Sequence, residues 1–182
     1  MRITMLSRDR MSEAQRRVVD EVAAGKRGSA PPPVLAWLHS PELAQRAQRF
    51  GEFVRFDTCL GPKLSELAIL VTARFWTAHF EWWAHKRLSL KAGLDPKVID
   101  AIAQRRDPKL DDPKARAVYD FSKALHETHD VPAAIFARAK QELGEQGVVE
   151  LVGILGYYTF ISMTLNAFEI GLPPGEEREL PP

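Results

Sequence analysis

Apolar residues recur at helical spacing along nearly the whole chain, and no stretch alternates as a half-buried strand does for more than a few residues. From Ser12, a plausible N-cap, to about Ala24, Val18, Val19 and Val22 stand among charged residues, and Gly25 ends the helix. The stretch GKRGSAPPP reads as a loop, because proline lacks an amide donor and glycine lacks rigidity, and VLAWLH follows as a short apolar turn. Ser40-Pro41 opens a helix with Leu43, Ala47, Phe50 and Val54 on one face. After the break at Gly61-Pro62, KLSELAILVTARFW carries Leu64, Leu67, Ala68, Leu70 and Val71, a stripe wide enough for a core helix. Thr77 can cap a helix over roughly Ala78 to Ala92, which Gly93 stops. Asp95-Pro96 and Asp112-Pro113 repeat one start signal and predict helices near Pro96 to Gln104 and Pro113 to Thr128. Two more follow, Pro132 to Leu143, ended by Gly144, and about Gly147 to Ala167. The pattern predicts an all-α bundle of about seven or eight helices in a single domain over 1–175. The polar, Pro-rich end is expected not to pack, leaving 176–182 as a flexible tail.

Composition narrows the function classes. With 182 residues, 45% of them hydrophobic, the chain can bury one sizeable core. Its 25 Lys and Arg against 24 Asp and Glu give no electrostatic ground for nucleic-acid binding, which relies on many cations neutralising phosphates. Cys59 is the single cysteine, so neither an internal disulfide nor a dithiol centre can form, and this usage suits a reducing cytoplasm. The N-terminal MRITMLSRDRMSEAQRR has no continuous apolar region of the secretory kind. Val148 to Phe168 is the one candidate membrane segment. Glu150 lies within it, together with Gly, Ser, Thr, Tyr and Asn, so a helix buried in a core or a subunit interface is the expectation, and no membrane partner.

The densest chemistry lies between Glu66 and His85. Glu81 and His85, four residues apart on one helix, can meet, and the carboxylate can then orient and charge the imidazole as a proton shuttle. Glu66 is the sole acid in the apolar run LSELAILV, where a buried carboxylate needs a partner. If the two helices pack antiparallel across Phe75 to Thr77, Glu66 comes to the face of Glu81 and His85, beside Trp82 and Trp83. Spacing alone equally allows Glu81 and His85 to be an ordinary surface pair and Glu66 to sit on a polar edge. A metal site is not expected: Glu-x-x-x-His supplies two ligands, His126 with His129 stands apart, and a site needs three or four. His39 and His79 read first as satisfied polar residues.

The run RFWTAHFEWWAHKRLSLKAGLDPKVIDAI resembles the signature segment of the carboxymuconolactone decarboxylase family, which includes the AhpD-type alkylhydroperoxidases. The similarity spans Leu38 to Pro174 and is strongest from Glu66 to Gly93, with support in HSPELAQRAQRFGEFVRF and GYYTFISMTLNAFEIGLPPG. It implies an AhpD-like helical bundle that assembles as a homo-oligomer, a dimer, trimer or hexamer. In the peroxidase branch it implies a Cys-x-x-Cys pair, a histidine four residues after the second cysteine and a glutamate on the preceding helix. Those positions are here Ala78, Glu81, His85 and Glu66, so both thiols are missing while the relay residues remain. The resemblance therefore points to the decarboxylase branch, a carbon-carbon lyase of aromatic catabolism that uses no metal or organic cofactor and takes a small carboxylated substrate.

On that reading His85, near neutral pKa, is the acid/base, Glu81 orients it, and Glu66 is a relay carboxylate. Trp82 or Trp83 would line an apolar pocket, with His79 and Asn166 as further substrate contacts. A carboxylated substrate calls for a cationic clamp, for which Arg74, Lys86 and Arg87 are the candidates. Two alternatives stay open. One is residual peroxidase activity through Cys59. The other is a non-catalytic oligomeric small-molecule-binding protein, with Tyr157, Tyr158, Met163, Asn166 and Phe168 as interface or pocket residues.

Overall fold

A computed structural model of the protein describes residues 1–181. A single 3-10 turn, Arg8–Arg10, precedes eight helices: α1 (Glu13–Ala24), α2 (Pro32–Trp37), α3 (Pro41–Phe56), α4 (Gly61–Phe75), α5 (His79–Lys91), α6 (Pro96–Ala103), α7 (Pro113–Thr128) and α8 (Ala133–Ala167). There is no strand among the described residues, so the fold is all-α as the periodicity predicts.

Start signals read from the sequence act as expected in three places. Ser12 caps α1 in a reciprocal box with Gln15, Asp95 accepts from the Lys97 amide, and Asp112 accepts from the Lys114 amide. Ser40 opens α3 without a side-chain cap. The apolar turn expected at VLAWLH is a short helix, α2, that begins at Pro32, because proline at the first position costs the helix no donor. Trp37 anchors it: its indole Nε1 donates to Thr164 Oγ1 at 2.9 Å, and its ring stacks on Phe160 at 4.5 Å. Gly144, at φ 72° and ψ 173°, breaks α8 into two arms where the sequence places a helix stop.

The core is built around α4, which packs against α5, α7 and α8. Every residue from Ser65 to Arg74 is buried, and Leu67, Ile69 and Leu70 are wholly so. A helix covered on all sides carries apolar residues all round, and each such side chain contributes about 1.5–3 kcal/mol relative to exposure. α8 is the one helix among the described residues long and apolar enough to cross a membrane, yet 56% of its apolar window is buried inside the protein. The C-terminal segment departs from expectation. Leu180 sits in the core, while Glu176 pairs with Arg87 at 2.6 Å and Glu179 with Lys86 at 2.5 Å, so the segment straps across α5 instead of standing clear. A single leucine among polar neighbours suffices because α5 offers it two cations.

α3 and α8 meet where Gly51 lies under Tyr157. A Cβ at Gly51 would stand 2.0 Å from the Tyr157 hydroxyl oxygen and 2.2 Å from Cζ. Gly51→Ala is therefore expected to lower the midpoint of urea denaturation by the equivalent of about 1–3 kcal/mol, as overpacking does. An unchanged midpoint would show that this contact can open freely.

Candidate active site

The turn between α4 and α5 sets the site. The Thr77 amide donates to the Arg74 carbonyl at 3.1 Å and the Ala78 amide to the Ala73 carbonyl at 2.9 Å, a Schellman closure with Thr77 in the left-handed region at φ 47°. Thr77 is thus the stop of α4 and not the cap of α5, whose N-cap is Ala78. Its hydroxyl accepts from Arg74 Nη1 at 2.9 Å, while Arg74 Nε holds the Ala103 carbonyl at 2.8 Å. Reversed on itself in this way, the chain lays α5 antiparallel along α4.

The antiparallel register places Glu66 of α4 opposite His85 of α5. His85 Nδ1 stands 2.7 Å from Glu66 Oε2, and His85 Nε2 stands 2.9 Å from Glu81 Oε1. Glu81 and His85 are each 4% exposed and Glu66 is 8% exposed, so the surface-pair alternative is overturned. The Tyr158 ring meets the imidazole edge-on at 5.0 Å, and Ser89 Oγ donates to the His85 carbonyl at 2.7 Å. Burial acts to lower the pKa of His85, but the facing charges of Glu66 and Glu81 outweigh it and push the group up to about 9. At neutral pH the ring is an imidazolium bridging two carboxylates, which corrects the expectation of a near-neutral pKa. Both ring nitrogens are engaged by carboxylates.

Glu66 is the member of the cluster that reaches a cleft, of about 380 Å³, between the C-terminal ends of α3 and α5 and the start of α4. Phe56, Pro62 and Leu88 give it apolar walls; Arg55 and Lys91 add two cations. The sequence analysis did not single out either cation. Lys91 lies in the last turn of the signature helix, off the face of Glu81 and His85, so helical spacing does not flag it. Arg55 comes from a different helix, and nothing in the chain pattern marks it.

The structure brings Glu66, Glu81 and His85 together, and places the other expected contacts elsewhere. Trp82 is buried, with its indole Nε1 donating to Glu179 at 3.4 Å under the C-terminal strap. His79 and Asn166 line a separate cleft, where Asn166 Nδ2 donates to the Trp76 carbonyl at 2.9 Å and so helps finish α4. None of the three lines the Glu66 cleft, because each faces the strap or the far end of α8. The expected clamp is corrected too: Lys86 and Arg87 are paired to the strap, Arg87 also lies 4.3 Å over Trp83, and Arg74 braces the turn. Cys59 sits in the loop between α3 and α4, where its amide donates to Glu150 at 2.6 Å. Burial and Glu150 push its thiol up, away from the reactive thiolate. No set of three or more His, Cys, Asp and Glu side chains among the described residues is arranged to hold a metal ion.

Solved structures superpose on nearly the whole of this arrangement. The alkylhydroperoxidase AhpD core protein of Ralstonia eutropha JMP134, described as peroxidase-related, matches with a TM-score of 0.77 at 17% identity, over 95% of this chain and 92% of its own. The chain has the AhpD-like fold. A peroxidase-related protein from Silicibacter sp. TM1040 matches this AhpD-like chain with a TM-score of 0.75 at 14% identity, over 99% and 94% of the two chains. The debrominase Bmp8, in complex with 2,3,4-tribromopyrrole, matches with a TM-score of 0.76 at 13% identity, over 96% and 92%. No family model and no curated protein matches the sequence.

The raised pKa of His85 links the AhpD-like core to pH. Against an ordinary value of 6.5, a folded value of about 9 means that the protonated bridge contributes fully below pH 6.5 and is lost as pH rises through 9. The loss is on the order of 3 kcal/mol. Chemical denaturation at steps across this window should show wild-type stability falling, whereas His85→Gln should be less stable at neutral pH and nearly flat. A variant that keeps the wild-type slope would place the titrating group elsewhere.

Proposed function

We propose that this protein is a thiol-independent acid/base enzyme in which Glu66 meets the substrate and the His85–Glu81 pair supplies and orients the proton. The observation that carries this reading is the imidazole bridging two buried carboxylates, one of which alone borders a cleft. The positions that align with a peroxidase thiol pair hold a fully buried Ala78 and the relay carboxylate Glu81, so thiol peroxide reduction has no nucleophile there. Among the structural neighbours the names divide between peroxidase-related and debrominase. The shared scaffold thus hosts more than one chemistry, and the reaction must be argued from this chain's own site.

The finer reading is decarboxylation of a small carboxylated lactone or related acid, without cofactor, as the resemblance to carboxymuconolactone decarboxylase implies. The bond between the substrate carbon and its carboxylate breaks, the electron pair moves into the unsaturated lactone carbonyl, and CO2 leaves. The dienolate then takes one proton from Glu66, which Glu66 receives from His85 Nδ1, and solvent restores it. One proton is consumed for each CO2 released. Glu81 at Nε2 keeps the ring aligned and stabilises its positive charge. Leu88, Phe56 and Pro62 give the leaving carboxylate apolar neighbours, which favour its loss. Self-association, also implied by the resemblance, has support in Phe50 and Phe53 on α3 and Val149, Val152 and Met163 on α8, which are large, apolar and exposed.

Purified protein given carboxymuconolactone should release CO2. Glu66→Gln and His85→Ala should each lower kcat by roughly 100-fold to 10,000-fold, the usual contribution of a positioned acid/base. Because the proton rests on His85, activity should fall as pH rises through about 9. Folded wild type that leaves the lactone intact would reject this substrate, and a fully active Glu66→Gln enzyme would reject the relay.

A further inference from the structure

Several surface cations along the first helices and on α5 are neutralised. Lys26 pairs with Asp57, Arg46 with Glu42, Arg49 with Glu21, Lys86 with Glu179 and Arg87 with Glu176. Arg55 and Lys91 differ: neither has a carboxylate within ion-pair distance among the described residues, and both line the cleft that opens on Glu66. Arg55 lies 5.0 Å over the Phe56 ring, which holds its guanidinium along the apolar wall. Lys91 stands in the last turn of α5, where the helix's own terminal carbonyls favour a cation. The two charges thus arrive from different helices at one opening.

Electrostatics gives that placement a purpose. The buried relay carries two carboxylates for one imidazole, so an anion entering beside Glu66 meets repulsion unless cations offset it. The apolar walls strengthen whatever charge pairing occurs there, because fewer waters screen it.

We infer that Arg55 and Lys91 are the specificity-determining residues of the cleft, a two-cation clamp that seats a carboxylate of the substrate while its apolar body lies towards Glu66. This assignment rests on the acid/base reading above. It also fixes which group stays. A carboxylate held on two cations is stabilised as an anion and is a poor candidate to depart as CO2, so the clamped group is retained and the leaving group lies against the apolar wall. The product therefore keeps the group that the clamp recognises, and it should compete with substrate.

The test separates binding from turnover. Calorimetry is run with muconolactone, which bears a single carboxylate, and with its uncharged methyl ester, on wild type and on Arg55→Gln/Lys91→Gln. Wild type should bind the acid roughly 10-fold to 100-fold more tightly than the ester, the range of a charge-assisted contact, and the double variant should bind both with the weaker affinity. Arg55→Lys/Lys91→Arg, which keeps both charges, should recover most of the preference. Equal affinity of wild type for acid and ester, absence of acid binding, or undiminished acid binding by the double variant would each overturn the clamp. In turnover, the double variant should raise KM by the same factor and leave kcat within about 3-fold, a smaller change than removal of an acid/base group gives. Charge-selective binding in a protein that decarboxylates nothing would sink the reaction and keep the clamp; turnover with an unchanged KM would sink the clamp and keep the reaction.

Discussion

Holding one imidazole between two carboxylates inside a helical core is the constraint that organises this molecule. Removing any one of the three leaves an unbalanced buried charge or an unpaired polar group, which costs about 3–5 kcal/mol when a buried ion pair is broken. The arrangement is tolerable only because the partners reach His85 from opposite sides, Glu66 from α4 and Glu81 from one turn earlier on α5. Local sequence supplies one pair through helical spacing. Tertiary packing supplies the other, so the cluster ties secondary structure to the fold: α4 and α5 must lie antiparallel in one register for it to exist.

That register depends on a turn of few residues. A Schellman closure needs its C′ residue in the left-handed region, for which glycine is favoured, and at the end of α5 Gly93 fills the role at φ 83°. At the end of α4 the residue is Thr77, β-branched and costly there. The side chain compensates by accepting from Arg74, whose guanidinium also grips the Ala103 carbonyl at the end of α6. One arginine buried at 4% exposure thereby joins the turn to the neighbouring helix. Asn166 completes the joint by donating to the Trp76 carbonyl. Asn166, which reads as a substrate contact in the linear sequence, instead helps close this turn.

Much of this was legible in the sequence, and the failures have physical causes. Asp-Pro starts and the wide stripe of α4 report local energetics, and they place α4, α6 and α7 nearly to the residue. Glu66 could be singled out because a lone acid in an apolar run needs a partner wherever the helix packs. By contrast, the inward face of α5 is Glu81, Trp82, His85 and Ser89, so an apolar-periodicity reading sees no stripe at all. The stops at Thr77, Arg105 and Glu169 carry no glycine, so the sequence places these helix ends without marking their left-handed conformation. The protonation of His85 does not follow from the spacing, because it depends on how far the charges of Glu66 and Glu81 outweigh burial in the packed structure. Arg55 stayed invisible because only tertiary structure brings the end of α3 to the cleft.

At the position that the resemblance aligns with a peroxidase cysteine, this chain carries a carboxylate. A thiol there would act as a nucleophile needing a neighbouring base to draw off its proton. Glu81 instead presents a carboxylate to His85 Nε2, and the ring now holds its proton between two acceptors. Proton affinity at the cluster rises, as the upward shift of His85 to about 9 shows, so the ring holds its proton at neutral pH. The geometry of α4 and α5 fixes that arrangement, because Glu66 and Glu81 meet the ring only when the two helices lie antiparallel in this register.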